Sequence, residues 1–170
     1  MPELRLLQAD PCGADALGLL QEATRDARAL YPELFAPDAP PPGNAPTPPG
    51  GLYLLAYLDG RPVGSGAFRP LEQGAVAELR RLFVSTEARR RGVAWALLEQ
   101  LQDEACSLGY RCLRLETGHK QLPAMALYER FGFRPIPPFG AYRDDPTSRC
   151  FEKWLDAAPQ LPATTFEKNS

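Results

Sequence analysis

Several features that often reveal a protein's role are missing from this chain. There is no long hydrophobic run: the longest, Leu52 to Leu58, falls far short of the roughly 20 residues that cross a bilayer, so no membrane span is expected. The N-terminus, Met1-Pro2-Glu3-Leu4-Arg5, leads into no apolar stretch followed by a small-residue cleavage site, which makes the cytoplasm the expected compartment. Histidine is almost absent, with His119 alone, and the cysteines Cys12, Cys106, Cys112 and Cys150 form no C-x-x-C pair. A zinc site needs clustered ligands, so no metal is expected and the cysteines read as reduced thiols. An excess of either charge is lacking too. With 19 Lys+Arg against 21 Asp+Glu the net charge is −2, and no global field draws the chain to nucleic acid or to an anionic membrane.

What is present fits one domain. The 170 residues are 44% hydrophobic and 24% charged, and a chain of this size buries roughly 70% of its unfolded surface without metals or disulfides. Proline is the outlier. Its 19 copies are about twice the usual share of roughly 5%, and they gather between residues 31 and 51, in Pro40-Pro41-Pro42-Gly43 and Pro48-Pro49-Gly50-Gly51. Proline lacks the backbone donor and clashes with a helical turn, so this segment is expected as a long loop. A surface loop is the first reading, a lid over a substrate site the second and a docking motif the third.

Periodicity lays out the rest. Glu3 to Gln8 reads as a first strand, followed by a helix capped by Asp15 and running to Leu30, with Leu17, Leu20, Ala23 and Ala27 on one face. Leu52–Leu58 and Val63–Phe68 flank Asp59-Gly60, a hairpin signal. A turn at Glu72-Gln73-Gly74 leads into a long strand, Ala75 to Val84. Helices are expected from Gly92 to about Gly109 and from Pro123 to Arg130, where Gly132 ends the second. The strand Cys112–Thr117 separates them, and Phe133–Ile136 and Ser148–Leu155 close the sheet. The domain spans 1–156, and 157–170, polar and aperiodic, read as a loose tail.

One stretch points to chemistry. Leu82 to Trp95 passes from strand through Arg89-Arg90-Arg91-Gly92 into a helix. Unpaired N–H groups at a helix start, together with the helix dipole, favour an anion. Gly92 and Ala94 leave room for close approach to the backbone. A solvated charge run is the plainer reading of the three arginines, but their place at a glycine-containing helix entry shifts it toward a diphosphate. No Gly-Lys-Ser/Thr follows, so this is not a P-loop, and the three-glycine dinucleotide fingerprint is absent.

Arg89-x-x-Gly92-x-Ala94, placed after a strand ending in Val84, resembles the pyrophosphate-binding motif of the GNAT N-acetyltransferase superfamily. Downstream, Leu115-Glu116-Thr117 and then Ala126-Leu127-Tyr128-Glu129-Arg130-Phe131-Gly132-Phe133 resemble its second landmark, a helix ending in Leu-Tyr-x-x-x-Gly-Phe. The resemblance implies an α/β (α+β) fold: a mixed, mostly antiparallel twisted sheet of about six to seven strands with about four flanking helices. It implies acetyl-CoA as cosubstrate. The amides of Leu82, Phe83 and Val84 would bind the pantetheine arm, with one near Phe83 polarising the thioester carbonyl. Arg89, Arg90, Arg91, Gly92, Val93, Ala94 and Trp95 would wrap the diphosphate, and Gln121 stands where an Asn often contacts the cofactor. Tyr128 occupies the place of the general acid.

The base is open between two carboxylates, Glu78 in the long strand and Glu116 in the next, each of which also suits a salt bridge with Arg80 or Arg114. Freeing an amine of pKa about 10.4 at neutral pH costs about 4.6 kcal/mol, so an acceptor for that proton is needed. Glu78, acting through water, is the preferred choice. His119 reads as a solvent-exposed loop residue, and no cysteine or serine stands as a covalent nucleophile. The expected function is direct acetyl transfer from acetyl-CoA to a primary amine, a small amine or amino acid first and a peptide N-terminus second, with the carboxylates favouring a cationic acceptor. A non-catalytic acyl-CoA-binding regulatory domain is the alternative. The Pro-rich segment, residues 31–51, lies where the family builds its acceptor site, and the superfamily leaves room for a homodimer.

Overall fold

The computed structural model describes residues 3–155 apart from residue 73; the expected tail, 157–170, lies outside the described residues. The element order is β1 (Leu4–Gln8), α1 (Ala14–Leu30), β2 (Leu52–Leu58), β3 (Arg61–Leu71), β4 (Gly74–Val84), α2 (Val93–Ser107), β5 (Cys112–Gly118), α3 (Leu122–Phe131), β6 (Arg134–Ile136) and β7 (Ser148–Trp154). Short 3-10 turns sit at Pro32–Leu34, Thr86–Ala88 and Gly140–Tyr142. The described residues thus hold three α-helices rather than the four expected. Proline keeps the first of those turns from propagating, because each further turn needs the donors that proline lacks.

Seven strands form one sheet in the order β1-β2-β3-β4-β5-β7-β6. Every pairing is antiparallel except β4 with β5. Asp59 and Gly60 take φ values of 51° and 82°, the left-handed pair that a two-residue hairpin needs to match strand twist. Alternation in β2 then sorts side chains to the two faces. Leu52, Leu54 and Ala56 join the main core with α2 and α3, while Tyr53 and Leu55 pack with Ala16 and Leu19 of α1. Leu97, Leu98, Leu101 and Ala105 make α2 the buried centre of one face. The start of α1 departs from expectation: Gly13 is the N-cap, and Asp15 lies in the first turn. There its carboxylate accepts a 2.6 Å hydrogen bond from Tyr57 Oη in β2 and so cannot turn back to the helix start.

A contact between the end of α1 and the end of β5 adds to the links the sheet provides. Tyr31, the buried C-cap of α1, accepts a hydrogen bond on its hydroxyl from Lys120 N–H at 2.8 Å. Its phenol ring lies directly against Gly118 at the end of β5, where a Cβ would collide with Tyr31 Oη. Gly118→Ala is expected to cost about 1–3 kcal/mol of stability through overpacking. A lower melting temperature checks this, and an unchanged one would mean that Tyr31 can step aside.

Candidate active site

The site exists because two central strands stop pairing. β4 pairs with β5 only from Val76–Leu79 to Cys112–Leu115. From Arg80 and Glu116 onward the parallel pair separates, and each strand carries a row of backbone groups with no strand opposite. A bulge in β4 helps the parting: Arg80 faces Ala67 and Phe83 faces Ser65, leaving Arg81 and Leu82 opposite Gly66. Arg81 takes φ +59°, a conformation that costs a non-glycine residue about 1–2 kcal/mol. The resulting cleft, about 640 Å³, is walled by Arg80–Phe83 of β4, Glu116 and Thr117 of β5, Gln121 and Tyr128 of α3, and Phe35, Ala39, Pro40 and Pro42 of the Pro-rich segment.

The bulge and the strand register decide which β4 amides face the cleft. Ser85 N–H donates to Val63 C=O at 2.8 Å. Strand alternation therefore turns Phe83 N–H toward β3 as well and Val84 N–H away from it. Ser65 Oγ donates to Arg81 C=O at 2.7 Å, and across that trans peptide Leu82 N–H points the opposite way. Leu82 and Val84 present the outward donors. Phe83 N–H, expected with its two neighbours to face the pantetheine arm, belongs to the sheet.

Beyond Val84 the chain turns through Thr86–Ala88 into α2. Gly92 is the N-cap, with φ +78°, and a Cβ there would meet nothing within 4 Å. The first intrahelical bond runs from Ala96 N–H to Gly92 C=O, so the N–H groups of Val93, Ala94 and Trp95 have no acceptor within the helix. Arg90 and Arg91 are exposed beside them. Arg89 is engaged elsewhere: its Nε donates to Val84 C=O and its Nη2 to Asp26, both at 2.9 Å. Trp95 packs edge-on against Phe131. Open space, unpaired donors and free cations suit the diphosphate of acetyl-CoA, and the exposed β4 edge suits its amide-bearing arm.

The two carboxylates have different surroundings. Glu78 is 2% exposed. Arg69 grips its Oε1 through Nε at 3.1 Å and Nη2 at 3.0 Å, and Tyr142 donates to its Oε2 at 2.7 Å. Glu116 lines the cleft and accepts a 2.7 Å bond from Ser148 Oγ. Burial raises its pKa, the charges of Asp145 and Glu78 raise it further, and Ser148 and Arg80 oppose the shift. Tyr128 is buried and lines the same cleft; burial, aided by the Glu116 charge, pushes its hydroxyl up to about 12. Gln121 is the N-cap of α3 and also lines the cleft. His119 is not the exposed residue expected: its ring packs on Tyr31, and its Nδ1 is buried without a partner.

Tyr142, Ser148 and Arg69 were not anticipated as neighbours of the carboxylates. Only the Arg69–Glu78 pairing had a signal, since the two face each other across the β3–β4 ladder. Nor is the cleft dominated by acid. Arg28, Arg80, Arg81 and Arg89 line it, against Asp26 and Glu116.

An open, mostly antiparallel sheet whose one parallel pair splays beside a strand-to-helix anion cradle defines a coenzyme A-dependent acyltransferase. The chain belongs to the acetyltransferase (GNAT) family, whose model matches residues 18–133, and it is an N-acetyltransferase that uses acetyl-CoA. An IAA acetyltransferase of Azospirillum brasilense is 33% identical over 165 residues, covering 91% of this chain and all of that protein. The human N-acetylaspartate synthetase is 37% identical over 87 residues, covering 51% of this chain and 29% of that protein. Among solved structures, a Klebsiella pneumoniae protein classed as an acyl-CoA N-acyltransferase is 28% identical with a TM-score of 0.73, covering 90% and 98% of the two chains.

The raised pKa of Glu116 has a sign. A buried carboxyl whose folded pKa lies above its unfolded value stabilises the fold while protonated and loses that contribution as pH rises through the shifted pKa. Glu116→Gln, which keeps an acceptor for Ser148, should therefore gain in melting temperature relative to the parent as pH rises above the ordinary carboxyl value of 4.5. Parallel melting curves across that range would contradict the shift.

Proposed function

We propose that this enzyme transfers the acetyl group of acetyl-CoA directly to the primary amine of a small molecule, an amino acid or similar compound. The supporting observation is the convergence of Glu116, Tyr128 and Leu82 on one cleft. Its volume of about 640 Å³ suits a compact acceptor. The named activities of the relatives also concern small molecules.

Acetyl-CoA supplies the activated acetyl group as a thioester. The N–H groups of Val93, Ala94 and Trp95, with Arg90 and Arg91, hold its diphosphate. Leu82 and Val84 N–H bind the arm and orient the thioester carbonyl. Arg89 caps Val84 C=O and fixes the strand end to α1, which makes it a positioning residue. Glu116 Oε1 takes the proton of the incoming ammonium, and its raised pKa narrows the gap to the amine. Glu78 is the weaker candidate for that task, because Arg69 and Tyr142 occupy both its oxygens. Tyr128 Oη keeps its proton at neutral pH and donates a hydrogen bond to the departing sulfur. Complete transfer from a pKa of about 12 to a thiolate of about 8.5 is uphill by about 5 kcal/mol. The sulfur's final proton therefore comes from the acetylated nitrogen.

Release of free thiol from acetyl-CoA, measured against amines, amino acids, polyamines and short peptides, tests this reading. Turnover with a small amine or amino acid is expected, and Tyr128→Phe should lower kcat about 10²-fold while acetyl-CoA still raises the melting temperature. Turnover only with peptides, or a fully active Tyr128→Phe, would refute it.

A further inference from the structure

Two consecutive residues of a regular strand point to opposite faces of the sheet. Arg80 and Arg81 do not behave that way. Both line the 640 Å³ cleft, and both also line a second cavity of about 590 Å³ that opens beside it under the Pro-rich segment, next to Asn44, Tyr53 and Arg69. The bulge at Arg81–Leu82, with Arg81 at φ +59°, breaks the alternation that would separate the two, and the charges of Arg80 and Arg81 act on each other. A left-handed arginine is unfavourable, and residues held in such conformations concentrate at ligand sites.

Neither guanidinium is neutralised by contact. Arg80 makes no hydrogen bond or ion pair with the described residues. Among the described residues Arg81 donates only its Nε, to Asn44 Oδ1 at 2.8 Å, which leaves both terminal nitrogens for a ligand. Asn44 is held in turn, its Nδ2 donating to Pro11 C=O at 2.9 Å and Tyr53 Oη at 3.2 Å. The Pro-rich segment thus aims Arg81. Across the cleft Arg28 buries its Nε without an acceptor. Nearby cations are cancelled locally, Arg69 by Glu78 and Arg89 by Asp26. What remains is Arg28, Arg80 and Arg81 against Glu116 and the exposed rim residue Glu72, an excess of positive charge where the acceptor must lie.

We infer that Arg80 and Arg81 form a carboxylate-binding subsite joining the two cavities, and that the acceptor is an amino acid with a second acidic group, its amine toward Glu116 and its carboxylates on the paired guanidiniums. A fork of N–H donors matches a carboxylate bidentately, and such charge-assisted bonds are roughly twice as strong as neutral ones. The inference rests on the amine-acetylating reading above and replaces the cationic acceptor expected from sequence.

Two measurements test it. The first compares kcat/KM of the parent enzyme for aspartate and glutamate with that for asparagine, glutamine, leucine and butylamine. The acids should exceed their amides by at least about 10-fold, as expected for a charge-assisted contact of 1.5–3 kcal/mol. Arg80→Met and Arg81→Met should each erase that preference mainly through KM, and Asn44→Ala should weaken it. Amides used as well as acids by the parent, or variants that keep the preference, would overturn the subsite. The second measurement needs no turnover: succinate, which has no amine, is titrated calorimetrically into the protein without acetyl-CoA. Binding that is lost in Arg80→Met and Arg81→Met supports the subsite, and absence of binding to the parent overturns it. Should no amine be acetylated at all, the amine-acetylating reading falls and the succinate titration alone decides the subsite.

Discussion

Everything at this site follows from the parting of β4 and β5. A parallel pair that stayed in register would use its amides within the sheet and leave no opening. Pairing stops after Leu79 and Leu115, and the left-handed Arg81 lets β4 swing away while it stays bonded to β3. The gap therefore has main-chain donors on one wall and side chains of β5 and α3 on the other. The same departure delivers β4 to the tight turn that starts α2.

The chemistry of the cleft depends on residues far apart in the chain. Ser148 in β7 holds the Glu116 carboxylate, Tyr142 from the turn before β7 closes Glu78, and Asn44 of the Pro-rich segment directs Arg81. The two glutamates start from the same side-chain chemistry and end in different states. One is locked in a buried ion pair with its lone pairs occupied, which is a structural condition. The other is partly desolvated, with one oxygen unbonded among the described residues, which suits a proton acceptor.

Much of the architecture was legible because local pattern and tertiary structure agree. Alternation in Leu52–Leu58, the Asp59-Gly60 turn and the apolar stripe Leu97, Leu98, Leu101, Ala105 each specify a period that nothing else in the fold contests. Gly92 at a helix entry was equally readable, from its place between a strand and an apolar helical stripe. The failures have a common cause in side-chain partners set by long-range contact. Asp15 looks like a cap, but Tyr57 claims its carboxylate; His119 looks like an exposed loop residue, but its ring packs on Tyr31. The bulge at Arg81 leaves no mark in sequence, because arginine is not a residue that left-handed backbone selects. It is also what decides that Leu82 and Val84, rather than Phe83, turn their amides outward.

That orientation is the central claim, and residue-resolved amide hydrogen exchange with and without coenzyme A tests it most directly. Exchange should slow on binding at Leu82, Val84, Val93, Ala94 and Trp95, while Phe83, already bonded to β3, should stay slow in both states. Protection that appears at Phe83 and spares Leu82 and Val84, or that avoids the start of α2, would contradict it.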